Sequence, residues 1–136
     1  YRNRNDGSIT STFVKSDNDK KEPVEFLLEG GFENALIAYK NLMEFAPTHP
    51  TVTEDYLNDL GYRFLNEDRM TLSQSVFKVN MVLYPDSYRV YDSYAEACTK
   101  AGEIDLAILN YSKSLKLNPQ NNRAKDKLKE LQKSKQ

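Results

Sequence analysis

The chain has few of the residues on which most catalytic chemistry rests. Its 136 residues include one cysteine, Cys98, and one histidine, His49. A single cysteine excludes an internal disulfide and says nothing about compartment. With so little His and Cys there is no cluster to ligate a metal, and no cofactor is expected. His49 lies between Thr48 and Pro50, where a lone loop histidine is solvated rather than catalytic. No serine is expected in a nucleophile-elbow or Ser-x-x-Lys setting. The five glycines build no phosphate-binding loop, and Gly30-Gly31 marks a turn instead. No apolar run approaches the length of a membrane span. The chain also lacks an excess of charge. Nineteen basic residues against twenty acidic ones leave a net charge of -1, which gives no reason to expect nucleic-acid or membrane binding. It begins at Tyr1 with neither an initiator Met nor a signal peptide, so a piece of a longer protein is expected.

What is present is apolar periodicity, enough for the core of a single domain. Leu57, Leu60, Phe64 and Leu65 recur at helical spacing, as do Leu72, Val76, Phe77, Val79, Met81 and Leu83. Thr53 is a candidate N-cap, with Glu54 and Asp55 at the positive end of the helix dipole. Thr71 and Gln74 have capping-box spacing for the helix that Pro85 ends. Ser87 is placed to cap the next helix, Gly102 suits a left-handed C-terminal turn, and Ile104 to Leu117 is expected as a further helix.

These helices repeat. Pro85 and Pro119 are 34 residues apart, and in the same register Tyr111 falls on Phe77, Ala107 on Ser73, Tyr94 on Leu60, Ala95 on Gly61 and Cys98 on Phe64. Large side chains match large and small match small. Gly61, Ser73, Ala95 and Ala107 are the small residues that let paired helices approach closely. Upstream, Ala35, Tyr39 and Pro47 keep the spacing of Ala107, Tyr111 and Pro119, with a short helix expected around Pro23 to Leu28 and six extra residues in the connector. Past Pro119, a helix from Asn122 to Lys133 would cover the last pair with Ala124, Leu128 and Leu131 and turn its lysines outward.

Over Glu54 to Asn121 this pattern resembles the tetratricopeptide repeat. It departs from that family at Asn80 and Ser114, where a small apolar residue is usual, and at Cys98, where an aromatic is usual. The resemblance implies an all-α, right-handed stack of antiparallel helix pairs: a degenerate unit over 16–53, repeats over 54–87 and 88–121, and a capping helix over 122–136. The first fourteen residues, YRNRNDGSITSTFV, fit no helix. Asn5-Asp6-Gly7 is a turn signal, so a short β-hairpin or extended segment is expected over 1–15, as a linker or the remnant of an upstream domain.

The resemblance implies binding rather than catalysis: a protein-protein interaction module whose concave groove is lined by the first helix of each pair. In this chain those positions are Asp55, Asn58, Asp59, Tyr62 and Asn66, then Arg89, Asp92, Ser93, Glu96 and Lys100, extended by Arg123 and Lys127. The groove is expected to be acidic at one end and basic at the other. Some family members clamp a peptide's terminal carboxylate with Lys and Asn. Asn58, Tyr62 and Ser93 stand at those clamp positions and do not match, while Arg123 and Lys127 match in type, so chaperone-tail binding is not expected.

The run EFLLEGGFENALIAYKNL, with LNDLGYRFL and FKVNMVLYPDSYRVYDSYAEA, also looks like the tails that follow secreted or periplasmic bacterial serine hydrolases of beta-lactamase-like or esterase-like type. Its sharpest phrase runs from Asn80 to Ser93. That resemblance implies a structural tail whose catalytic residues, and one partner surface, lie on an upstream domain. Tyr91 and Tyr94 in the run YRVYDSYAEA fall on core positions, and Cys98 reads as a small core residue. From Asn121 to Gln136 six basic residues face two acidic ones, and the upstream part is acidic, so self-association through opposite ends is a further expectation.

Overall fold

The structure is a computed structural model and describes residues 21–135. Seven α-helices follow one another: α1 (Pro23–Leu28), α2 (Phe32–Phe45), α3 (Glu54–Asn66), α4 (Met70–Leu83), α5 (Tyr88–Lys100), α6 (Ile104–Leu117) and α7 (Asn122–Ser134), with a 3-10 turn over Pro50–Val52. The first helices α3, α5 and α7 recur at intervals of 34 residues, as do the second helices α4 and α6. Packing is between neighbours: α1 on α2, α3 on α4, α5 on α6, with α4 and α6 joined to the helix that follows each. The described residues contain no strand. The hairpin expected at the N-terminus lies outside them.

Three turns between paired helices are built alike. One residue in each has positive φ: Gly30 at 83°, Asp68 at 60° and Gly102 at 81°. The following N–H then reaches back to close the helix end, Gly31 to the Phe26 carbonyl at 2.8 Å, Arg69 to Phe64 and Glu103 to Cys98 at 2.9 Å each. Glycine adopts this left-handed conformation without cost; Asp68 does so with a side chain.

The buried residues follow the expected register. One cluster joins Leu27, Ala35 and Tyr39 to Leu57, Leu60, Phe64, Val76 and Val79; the other joins Phe77 to Tyr94, Ala95, Cys98, Ala107, Tyr111, Ala124 and Leu131. Gly61 is where α3 meets α4 most closely: a Cβ there would lie 2.2 Å from the Phe77 ring. Ser73 Oγ donates to the Gly61 carbonyl at 2.8 Å across the same contact.

Several local expectations are corrected. Thr53 does cap α3, its Oγ1 accepting from Tyr56 N at 3.2 Å. Thr71 and Gln74 form no capping box, because the Arg69–Phe64 bond starts α4 at Met70 and leaves Thr71 inside the first turn. Ser87 occupies the N-cap of α5 but makes no capping bond; its hydroxyl instead donates to Glu54 Oε2 at 2.6 Å. Tyr91, expected in the core, is only half-buried, its hydroxyl donating to the Pro85 carbonyl at 2.8 Å. The insertion before α3 is four residues rather than six, since α2 and α4 start at Phe32 and Met70, 38 apart against a repeat of 34, and its connector carries its own core residue, Val52, which is fully buried. His49 is more than solvated: its Nδ1 accepts from Thr51 N at 3.2 Å and starts the 3-10 turn.

Asn80 and Ser114, the two polar departures, are both fully buried. Asn80 finds a partner within the α3–α4 pair for its Nδ2, while its Oδ1 has none among the described residues, and Ser114 finds one across the α6–α7 joint. Asn80 Nδ2 donates to the Glu54 carbonyl at 3.1 Å, and Ser114 Oγ accepts from Asn121 Nδ2 at 3.1 Å. A buried polar group that is hydrogen-bonded escapes most of its desolvation cost and fixes the geometry of what it joins.

Candidate functional site

Side chains of α3, α5 and α7 meet on one face of the stack, and the predicted groove residues bond to one another there. Arg89 Nη1 lies 3.0 Å from Asp55 Oδ1 and 3.7 Å from Glu54 Oε2. Ser93 Oγ donates to Asn58 Oδ1 at 2.5 Å. Tyr62 OH donates to Glu96 Oε1 at 2.9 Å, and Arg123 donates to that same carboxylate oxygen. Arg123 also reaches Asp92 Oδ2 at 2.9 Å. Lys100 Nζ donates to the Leu65 carbonyl at 2.9 Å and pairs with Asp68 at 3.2 Å. Three predicted residues stand outside this network: Asp59 and Asn66 are exposed and Lys127 is half-buried, and no hydrogen bond or ion pair of their side chains is found among the described residues.

The reason for this mesh is the register itself. Residues 34 apart on successive first helices lie side by side, so Tyr62 meets Glu96 and Asp55 meets Arg89. The resulting field differs from the expected acid-to-base gradient. Arg89 stands at the acidic end, and the Asp92 and Glu96 carboxylates hold Arg123 at the basic end, so positive and negative charge are matched locally. Exposed pairs of this kind contribute little to stability. The Arg123–Asp92 pair differs, because the Asp92 side chain is only 14% exposed.

Beneath Arg123 the site is drier. Tyr111 is fully buried and its hydroxyl has no protein partner among the described residues; Asp92 Oδ1 is likewise buried and unpartnered. Burial pushes the Tyr111 hydroxyl up to about 12, and burial does the same to Tyr62. Burial alone would lower the Arg123 guanidinium, but Glu96 and Asp92 outweigh it and raise it above its ordinary value. Arg89 is raised chiefly by its bond to Asp55.

Sequence reasoning passed over Glu54 and Asp68 as members of this face. Glu54 reads in sequence as a partner of the helix dipole and Asp68 carries no signal there, and only the crossing of the helices shows them as acceptors. The expectation of no Ser-x-x-Lys setting is corrected as well, since Ser75-Val76-Phe77-Lys78 has that spacing. The structure gives that spacing no chemistry: Lys78 Nζ sits 4.9 Å from the centroid of the Phe32 ring, and no bond links it to Ser75 among the described residues. Cys98 is buried, and burial raises its thiol, which disfavours the nucleophilic thiolate. No group of three His, Cys, Asp or Glu side chains suited to a metal occurs among the described residues, and no described helix is long and apolar enough to cross a membrane.

The sequence matches no family model and no curated protein. Solved structures do resemble the fold. The first TPR of Spaghetti (RPAP3), bound to the HSP90 peptide SRMEEVD, is 16% identical, with a TM-score of 0.57 over 86% of this chain and 88% of that one. The second TPR domain of the human RPAP3 protein, in complex with the HSP70 peptide SGPTIEEVD, is 16% identical, with a TM-score of 0.57 over 85% and 92%. MamA is 22% identical, with a TM-score of 0.57 over 90% of this chain and 66% of its own. The fold is therefore of the tetratricopeptide-repeat type.

Proposed function

We propose that the chain is a non-catalytic protein-interaction module that receives an extended peptide along the face formed by α3, α5 and α7. One observation carries this reading. The polar side chains of that face are held in place by bonds between helices, from Tyr62 through Glu96 to Arg123 and Asp92. A face ordered before binding loses little side-chain entropy on binding, which is what a peptide groove needs. Within this reading the units are 16–53, 54–87 and 88–121, with 122–136 as the cap. Asp55, Asn58, Asp59, Tyr62, Asn66, Arg89, Asp92, Ser93, Glu96, Lys100, Arg123 and Lys127 form the groove.

The two RPAP3 domains were solved with peptides ending in Glu-Glu-Val-Asp. Here Arg89, Lys100 and Arg123 already face carboxylates, and Lys127 alone among these cations has no such partner in the described residues. The groove thus favours peptides of mixed or neutral charge over acidic tails. The phrase Asn80 to Ser93, which carries the likeness to hydrolase-associated tails, has a structural account of its own. Asn80 bonds Glu54 within the α3–α4 pair, Tyr84 bonds Val52 ahead of that pair, Ser87 ties the start of α5 to Glu54, and Tyr91 bonds Pro85 in the turn before α5.

Peptide-array selection followed by substitution tests the reading. Selected peptides should lose binding on Tyr62→Ala and on Ser93→Leu, both on the groove floor. Selection of peptides indifferent to both substitutions refutes it. The peptide SRMEEVD serves as the charge control: it should bind at least about tenfold more weakly than the selected peptides, a difference of roughly 1.4 kcal/mol.

A further inference from the structure

The last two helices leave an apolar groove between them. It has a volume of about 460 Å³ and is lined by Leu109, Ser112, Lys113, Leu115 and Lys116 of α6 and Leu128 of α7. Leu109 is 64% exposed, more than any other leucine among the exposed large hydrophobics. The register says what this groove does not hold. Helix α7 stands 34 residues after α5, and α5 after α3, so α7 takes the place of a first helix. Within the stack a second helix packs on a first one at Gly61 and Ala95, and a Cβ at Gly61 would already lie 2.2 Å from Phe77. The corresponding residue of α7 is Lys129, and Gln132 stands where Phe64 and Cys98 stand. A lysine at the point of closest approach excludes a helix seated as α4 sits on α3.

The rim of the groove is basic. Lys113 and Lys116 line it and have no ion pair among the described residues, and the helix beyond it carries the same sign, six basic residues standing against two acidic ones from Asn121 to Gln136. A leucine floor with a lysine rim is complementary to an amphipathic helix that carries large aliphatic side chains on one face and carboxylates on its flanks. We propose that the α6–α7 groove is a second docking surface, distinct from the face of α3, α5 and α7, and that its occupant is an acidic amphipathic helix of another protein.

The probes are two fluorescein-labelled model helices with leucines at i, i+3, i+4 and i+7. One carries glutamates on its flanks and the other lysines. Fluorescence anisotropy should show the glutamate helix binding at least about tenfold more tightly than the lysine helix. Leu109→Asp and Lys116→Glu should each weaken the glutamate helix by about tenfold or more, with circular dichroism unchanged because both residues are exposed. Glu33→Ala, exposed on α2 and part of neither surface, should change nothing. Equal affinity for the two helices, indifference to both groove substitutions, or no binding by the glutamate helix up to about 1 mM overturns the proposal. So does sedimentation showing a dimer that Leu109→Asp dissolves, since a second copy would then fill the groove.

Discussion

The α4–α5 and α6–α7 joints have the same register and the same proline at the same place, yet they are bonded differently. The first reaches back to the start of its own unit and past it: Asn80 bonds the Glu54 carbonyl, Ser87 bonds the Glu54 carboxylate, and Tyr84 OH donates to the Val52 carbonyl of the preceding unit at 2.5 Å. The second bonds itself: Asn121 Nδ2 to Ser114, Ala124 N to Asn121 Oδ1 at 3.2 Å, and Gln120 N to Asn118 Oδ1 at 3.2 Å. Tyr84 of the first joint is replaced by Asn118 in the second, and that replacement alone removes the arm that spans two units. Apolar packing is shared by both joints, so the difference between them is polar. Polar bonds set how far a disturbance travels; the core sets how much it costs.

The largest test ignores the difference on purpose. Phe77→Ala and Tyr111→Ala each remove a fully buried ring, one beside each joint. Each should cost about 3–5 kcal/mol in denaturant unfolding. Costs below about 1 kcal/mol for both would disprove the shared core. Gly61→Ala comes next. Its new methyl group must displace the Phe77 ring, an overpacking cost of about 1–3 kcal/mol that should be absent when Phe77→Leu is made in the same chain.

The joints themselves are compared with smaller changes. Tyr84→Phe removes the cross-unit bond and should cost about 1 kcal/mol. Asn121→Ala removes a cap of similar worth, about 1 kcal/mol. Hydrogen exchange separates the two. Tyr84→Phe should lower protection from α3 through α5, and Asn121→Ala in α7 alone; the same pattern in both variants would mean that the joints are equivalent. The smallest effect is expected from Tyr111→Phe. The lost hydroxyl has no partner, so stability near neutral pH should change by less than about 1 kcal/mol and in the favourable direction. The signature lies at high pH. Tyr111 ionises near 10 in the unfolded chain and at about 12 in the folded one. Its contribution is therefore complete below pH 10 and is lost as pH rises from 10 towards 12. The phenylalanine variant should show a shallower fall over that range than the parent chain.

Much of this architecture was legible in the residues. The helix from Ile104 to Leu117 and the short one from Pro23 to Leu28 follow from spacing and from proline at helix ends. The close approach at Gly61 and Ser73 follows from aligning small residues across the repeat. What failed to show was whatever depends on the crossing of helices. Thr71 and Gln74 have the spacing of a cap, but the turn before them already closes the helix end. Ser87 has the chemistry of a cap, but Glu54 stands closer at hand. Asp68 adopts the left-handed turn that Gly30 and Gly102 take elsewhere, a conformation aspartate tolerates better than most side chains but signals less plainly than glycine. The face of α3, α5 and α7 was located by register. The matching of Arg89 to Asp55 and of Arg123 to Asp92 could not be read from it, because a row of signs along the chain does not say which neighbours touch.

The neighbour-only wiring also has a consequence in time. No helix of the described residues packs beyond its third neighbour, and the cross-helix side-chain bonds named above join residues no more than 35 positions apart. Short closures cost little entropy, and chains wired this way fold on the microsecond-to-millisecond scale. Synthesis by a ribosome is far slower, at about 5–20 residues per second. Helices α1 and α2 find all their packing partners once α4 has emerged, seconds before α7 is made. Folding can thus keep pace with synthesis, and the apolar faces of the early helices need wait only for the next few dozen residues to be covered.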